Sequence, residues 1–171
     1  MQDKKSQDFV SEDGLKLLTK KKRINSRTKG NSFERKIADI LNKHYDTTDF
    51  MRTPGSGAFA TTHKLPKHLQ VEGDLITPKD YPWLIECKKG YKFTISDLMN
   101  TKSKFWEIID KVNNQSIAID KKPILIFQQN RQDIYCMLPT MNVIHMHGNL
   151  DFNFWTIIPL RNFLRFVQPI L

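Results

Sequence analysis

Two acidic residues and a lysine carry the chemistry for which this sequence can be read. Asp74 closes the run Val71-Glu72-Gly73-Asp74, and eleven residues separate it from Glu86-Cys87-Lys88. Side chains alternate along a strand, so Glu86 and Lys88 share one face while Ile85 and Cys87 share the other. If the strands holding Asp74 and Glu86 form a hairpin, two carboxylates and one amine meet within a few ångströms. Phosphodiester hydrolysis calls for such a set. It needs an attacking water made more basic, charge neutralised on the phosphorane-like transition state, and a stabilised leaving alkoxide. Asp74, Glu86 and the main-chain carbonyl of Cys87 would hold Mg²⁺ through oxygen, with Mn²⁺ able to substitute, leaving positions for water and a phosphate oxygen. Lys88 would orient or deprotonate that water, or stabilise the transition state. A lone Glu-x-Lys is equally compatible with an ordinary salt-bridged face on a half-exposed strand. Glu72 neighbours Asp74, but alternation turns it away from the site.

The elements that must position these residues can be placed from periodicity. Val71 to Thr77 and Trp83 to Lys88 read as two short strands across Pro78-Lys79-Asp80-Tyr81-Pro82, a connection with turn residues at both ends that predicts an antiparallel hairpin. Upstream, Phe33, Ile37, Ile40 and Leu41 fall on one stripe of a helix over 33–43 with Ser32 as its N-cap, and Glu34 sits on the shoulder of that stripe. Phe50-Met51-Arg52 ends a strand before the turn Pro54-Gly55-Ser56-Gly57, and a basic loop with His63, Lys64, Lys67 and His68 follows. A second helix is predicted from Ser96 to about Asp120, burying Phe105, Ile108, Ile109 and Val112, with a kink at Asn113-Asn114. Strands over Pro123–Gln128 and Ile134–Leu138, a short strand over Phe154–Ile158 and a final helix over Leu160–Val167 complete the chain.

Composition narrows the partners. The 171 residues, 39% of them hydrophobic, suffice for one compact domain over 25–171, with an extension from about 140. A net charge of +9 calls for a polyanion. Six basic residues and no acidic one occur between Lys20 and Gly30: Lys20, Lys21, Lys22, Arg23, Arg27 and Lys29. Residues 1–24 read as a flexible basic arm that either tracks phosphate or is simply solvated. No apolar run of about 18 residues is present, which argues against a membrane partner and for a soluble, cytoplasmic, nucleoid-associated protein. Cys87 and Cys136, each inside an apolar strand-like run and without a CxxC or Cys/His cluster nearby, read as buried thiols rather than zinc ligands.

Four segments in order, Gly30-Asn31-Ser32-Phe33-Glu34-Arg35, Arg52-Thr53-Pro54-Gly55-Ser56-Gly57, Gly73-Asp74-Leu75-Ile76 and Leu84-Ile85-Glu86-Cys87-Lys88, resemble the PD-(D/E)XK nuclease superfamily, in particular the archaeal and phage Hjc-type Holliday junction resolvases. The resemblance covers residues 30 to about 128. It implies an α/β fold of restriction-endonuclease-like type, with a central mixed sheet of about five strands flanked by helices. It further implies that Glu34 binds metal directly or through water, that Ser56 contacts the scissile region or its phosphate, and that Arg52 and Lys29 grip flanking phosphates, with the basic loop around Lys64 and Lys67 as a further DNA contact.

The resemblance also implies Mg²⁺-dependent cutting of four-way junctions. Two symmetric nicks require two active sites, which a C₂ homodimer supplies; the strands Ile124–Phe127 and Ile134–Leu138, or the second helix, are the expected interface. Recognition would rest on backbone geometry, since no base-reading module is visible. The chain departs from the archaeal pattern in a longer loop between Gly57 and Gly73 and in its extension past Phe127. Cutting of flaps or linear duplex by a related nuclease, or DNA binding without catalysis, are the other readings.

Overall fold

The computed structural model describes residues 25–54, 73–142 and 149–166. The long helix α1 (Ser26–Tyr45) comes first, followed by the two-residue strands β1 (Met51–Arg52) and β2 (Leu75–Ile76), then β3 (Trp83–Lys89). Helices α2 (Ile95–Met99) and α3 (Lys104–Ala118) lead to β4 (Lys122–Gln128) and β5 (Ile134–Pro139). Strands β6 (Leu150–Phe152) and β7 (Trp155–Pro159) and helix α4 (Leu160–Phe166) close the order. Five strands form one mixed sheet in the order β3-β4-β5-β7-β6, with β3 and β4 parallel and the other neighbours antiparallel. This is the α/β arrangement expected, helices on both faces of a five-stranded mixed sheet.

Strand alternation sorts the core into two layers. Ile85, Cys87, Ile124, Ile126, Cys136 and Leu138 pack with Phe33, Ile37, Ala38 and Leu41 of α1 and with Phe163 of α4. Leu125, Phe127 and Met137, one residue out of phase, pack with Phe105, Trp106 and Ile109 of α3 and Leu98 of α2. Burying each such aliphatic or aromatic side chain contributes roughly 1.5–3 kcal/mol, which is why the sheet holds both helix layers in fixed register. Of the segment beyond 140, β7 and α4 join this core: β7 lies hydrogen-bonded between β5 and β6, and Phe163 stacks edge-on to Trp83 with ring centres 5.6 Å apart.

Several expectations are corrected. The hairpin does not form: β2 pairs with β1 (Met51↔Ile76, Arg52↔Leu75), and β3 takes β4 as its sheet partner. Within the 78–82 connection Tyr81 alone is buried, its ring edge-on to Phe50 at 4.9 Å, while Lys79 and Asp80 stay exposed. Helix α1 starts at Ser26 rather than after Ser32, capped by Asn25, whose Oδ1 accepts the Arg27 N–H at 3.0 Å. Its first turn is exposed, so no apolar stripe marked it. The expected second helix is two helices. Thr94 and Asp97 form a capping box for α2, and Ser103, whose Oγ donates to the Asp97 carbonyl at 2.7 Å, starts α3, which runs unbroken through Asn113-Asn114. Ile124–Phe127 and Cys136–Leu138 are buried within this chain, whereas Ile134, Tyr135 and Pro139 of β5 are half-buried.

Candidate active site

β3 is an edge strand of the main sheet, and its free edge is where the acidic residues gather. Among the described residues, Asp74 clamps that edge. Its backbone N–H donates to the Ile85 carbonyl at 2.9 Å, and its Oδ2 accepts the Cys87 N–H at 2.7 Å, so one residue takes the place of a partner strand. The clamp depends on Gly73, which holds φ at +82°; a Cβ there would lie 2.8 Å from Leu84 Cδ1 and 2.9 Å from the Ile85 oxygen. On its other side the Asp74 carbonyl accepts the Thr53 N–H at 3.0 Å, tying the site to the end of β1.

Alternation then delivers the rest. Glu86 and Lys88 leave the face of β3 opposite to Ile85 and Cys87, which pack on α1. The Lys88 ammonium donates to Glu86 Oε1 and, at 3.3 Å, to the Cys87 carbonyl, and it stands 3.8 Å from Asp74 Oδ2. Asp74, Glu86 and Lys88 are therefore brought together by a single-residue clamp where a hairpin was expected. Lys111 of α3 reaches the same carboxylate, its Nζ 3.8 Å from Glu86 Oε1. Sequence reasoning missed Lys111, because only the packing of α3 on the sheet brings it there.

Glu34 is buried on α1, near enough for its charge to act on Asp74. Arg52 Nε donates to Glu34 Oε2 at 2.6 Å and its NH2 group donates to Asn31 Oδ1 at 3.1 Å, so the guanidinium expected on a phosphate is engaged with two α1 side chains. Asn31 is a second residue that sequence reasoning did not single out. Lys29 donates to Asn130 Oδ1 in the turn after β4, and Arg27 is exposed in the first turn of α1. Lys20, Lys21, Lys22, Arg23, Ser56, His63, Lys64, Lys67, His68 and Glu72 lie outside the described residues.

The electrostatics are crowded. Burial, then the Glu86 charge, pushes Asp74 from its ordinary 3.8 up to about 6, with Glu34 adding to the push, and Lys88 and the Cys87 N–H offset only part of it. Burial pulls Lys88 down, but Glu86 and Asp74 outweigh it and hold the ammonium above its usual pKa in the metal-free chain. Burial first, and the surrounding carboxylates next, keep Cys87 a neutral thiol, which leaves its backbone oxygen as its polar contribution.

Among the described residues, no group of three or more His, Cys, Asp and Glu forms a ready-made metal cluster. Asp74, Glu86 and the Cys87 carbonyl nevertheless fit a hard divalent cation: all are oxygen donors, and the mutual repulsion that raises Asp74 is what a cation would relieve.

A family model described as "Phage putative PDDEXK endonuclease" matches residues 25–161. No curated protein and no solved structure gives a significant match to the chain. No helix among the described residues is long and apolar enough to cross a membrane.

Proposed function

The chain belongs to the phage PDDEXK endonuclease family, and from that premise we propose that it is a Mg²⁺-dependent DNA endonuclease that cuts four-way junctions as a homodimer. Nucleases of this superfamily generally use divalent metals. The observation that carries the reading is the meeting of Asp74, Glu86 and Lys88 at the β3 edge, with Asp74 Oδ2 3.8 Å from the Lys88 ammonium.

Asp74, Glu86 and the Cys87 carbonyl would hold Mg²⁺, with Mn²⁺ able to replace it, and Glu34 would act through water because Arg52 already engages its Oε2. When bound, the metal supplies Lewis-acid polarisation of a phosphate oxygen and a more acidic water. The protein's own part is positional. Lys88, held charged between Glu86 and Asp74, donates to the attacking water or to the phosphate oxygen on which charge builds. Arg52 fixes Glu34, and Lys111 offsets part of the carboxylate charge. Ser56 and the bases at 20–23, 27, 29, 64 and 67 would hold DNA by its backbone.

The junction reading rests on the four ordered segments and the net charge of +9, and the dimer on the need for two sites to make two symmetric nicks. Labelled four-way junction, flap and linear duplex of matched sequence, incubated with Mg²⁺ or a chelator, test it. Paired symmetric nicks confined to the junction are expected. Equal cutting of linear duplex would remove the junction assignment and leave a PDDEXK endonuclease of other preference.

A further inference from the structure

Behind the catalytic face, three lysines from two elements converge at the C-terminal end of β3. Lys89 closes that strand; its Nζ donates to Gln128 Oε1 at 2.8 Å and stands 5.3 Å from the centre of the Phe33 ring on α1. Lys29 donates to Asn130 Oδ1 and comes so near the strand end that a Cβ on Gly90, whose φ is +82°, would meet its Nζ at 2.9 Å. Lys36 lies seven residues from Lys29, two helical turns along the same side of α1 as Phe33, and shares with Gln128 the wall of a groove of about 320 Å³.

What holds these ammonium groups matters. Lys89 and Lys29 are oriented by neutral amide oxygens, which aim a cation without cancelling its charge. Asp133, the acid lining the groove, lies 3.6 Å from Arg161 in an ion pair of its own. Gathering like charges costs free energy in the isolated chain, and a polyanion laid across them offsets that cost. Lys88 and Lys89 are consecutive and leave opposite faces of one strand, so this cluster lies one residue along β3 from the lysine of the candidate site.

We propose that Lys29, Lys36 and Lys89, aimed by Asn130 and Gln128, form a clamp for an internal phosphodiester of DNA beside the cleavage site, separate from the metal-dependent centre. The clamp rests on the endonuclease reading. It adds Lys36 and Lys89 to the contact at Lys29 that sequence resemblance alone implied.

The test measures binding of a fluorescein-labelled duplex by the full chain in chelator, so that cleavage is silent, over a salt titration. Lys36→Ala with Lys89→Ala should lower the magnitude of the log–log salt slope by about 2, roughly 0.9 for each lost phosphate contact, and Lys36→Arg with Lys89→Arg should restore it. Lys43→Ala, an exposed lysine in the last turn of α1, serves as the control for diffuse charge and should leave the slope unchanged. An unchanged slope in the double variant, with its melting temperature intact, would overturn the clamp. So would an equal loss in Lys43→Ala, or an effect seen only on duplexes bearing a 5′-phosphate, which would point to a terminal phosphate. A wild-type chain that neither binds nor cuts DNA would sink the endonuclease reading itself, whereas an active wild type with unaffected variants would sink the clamp alone.

Discussion

Two groupings of buried acid and base flank the same site and are built differently. At Glu34 one carboxylate meets one guanidinium at 2.6 Å, and Asn31 takes a further donor of the same guanidinium. At the β3 edge, Asp74 and Glu86 crowd around Lys88, with Lys111 of α3 3.8 Å from Glu86 and largely exposed. The first is a satisfied tie that locks α1 to β1. The second leaves Asp74 pushed up to about 6, by burial first and by the Glu86 charge next, with both carboxylates buried beside Lys88. The difference is between a paired charge that ties two elements together and a crowded set whose repulsion a cation would relieve.

The largest expected effect lies at the crowded grouping. Asp74→Asn or Glu86→Gln should lower cleavage by roughly a thousandfold or more, the scale of losing a preorganised electrostatic group, while DNA binding in chelator survives. A plasmid-nicking assay paired with anisotropy checks this; joint loss of binding and cleavage in a folded variant would contradict it.

The tie should break in another currency. Arg52→Ala strands the buried Glu34 charge and should cost roughly 3–5 kcal/mol of stability, read by urea denaturation. A loss below about 1 kcal/mol would place the pair with ordinary surface ion pairs.

pH separates the groupings further. Because the folded-state pKa of Asp74 is raised from 3.8 to about 6, the metal-free fold holds a proton through that window that the unfolded chain releases. Stability from this residue therefore falls as pH rises from about 4 to 6, and the full penalty remains above it. Metal-free Asp74→Asn should thus be more stable than wild type at pH 8 by on the order of 2–3 kcal/mol, with the gap closing toward pH 4. Thermal melts across that range measure it, and a gap independent of pH would show that the carboxylate is not the cause.

Lys111→Ala should have the smallest effect, a few-fold change in kcat at unchanged stability, since its ammonium is more than half exposed and reaches Glu86 only at 3.8 Å. A loss as large as that of Asp74→Asn would move Lys111 into the reacting centre.

Much of this was legible in the sequence because it is local. Period-two alternation separated Glu86 and Lys88 from Ile85 and Cys87, and the Phe33, Ile37, Leu41 stripe is the buried face of α1, on which Glu34 also is buried. β4 and β5 were found nearly to the residue, being short apolar runs bounded by polar turns. The strand pairing of Leu75-Ile76 was not legible, because it depends on a positive φ at Gly73 and on Tyr81 burying itself against Phe50. The break between α2 and α3 was written locally in Ser103, the N-cap of α3, but apolar periodicity running through it masked the signal. Lys111 and the Lys29, Lys36, Lys89 cluster come together only through packing of α3 and α1 on the sheet, which no spacing encodes.

The most direct test of the central claim is Mg²⁺ binding by calorimetry to the wild-type chain, Asp74→Asn and Lys88→Ala, alongside cleavage of the same DNA. The account predicts that wild type binds Mg²⁺ and cuts, that Asp74→Asn does neither, and that Lys88→Ala binds Mg²⁺ but does not cut. Mg²⁺ binding and cleavage by Asp74→Asn at wild-type levels would contradict it.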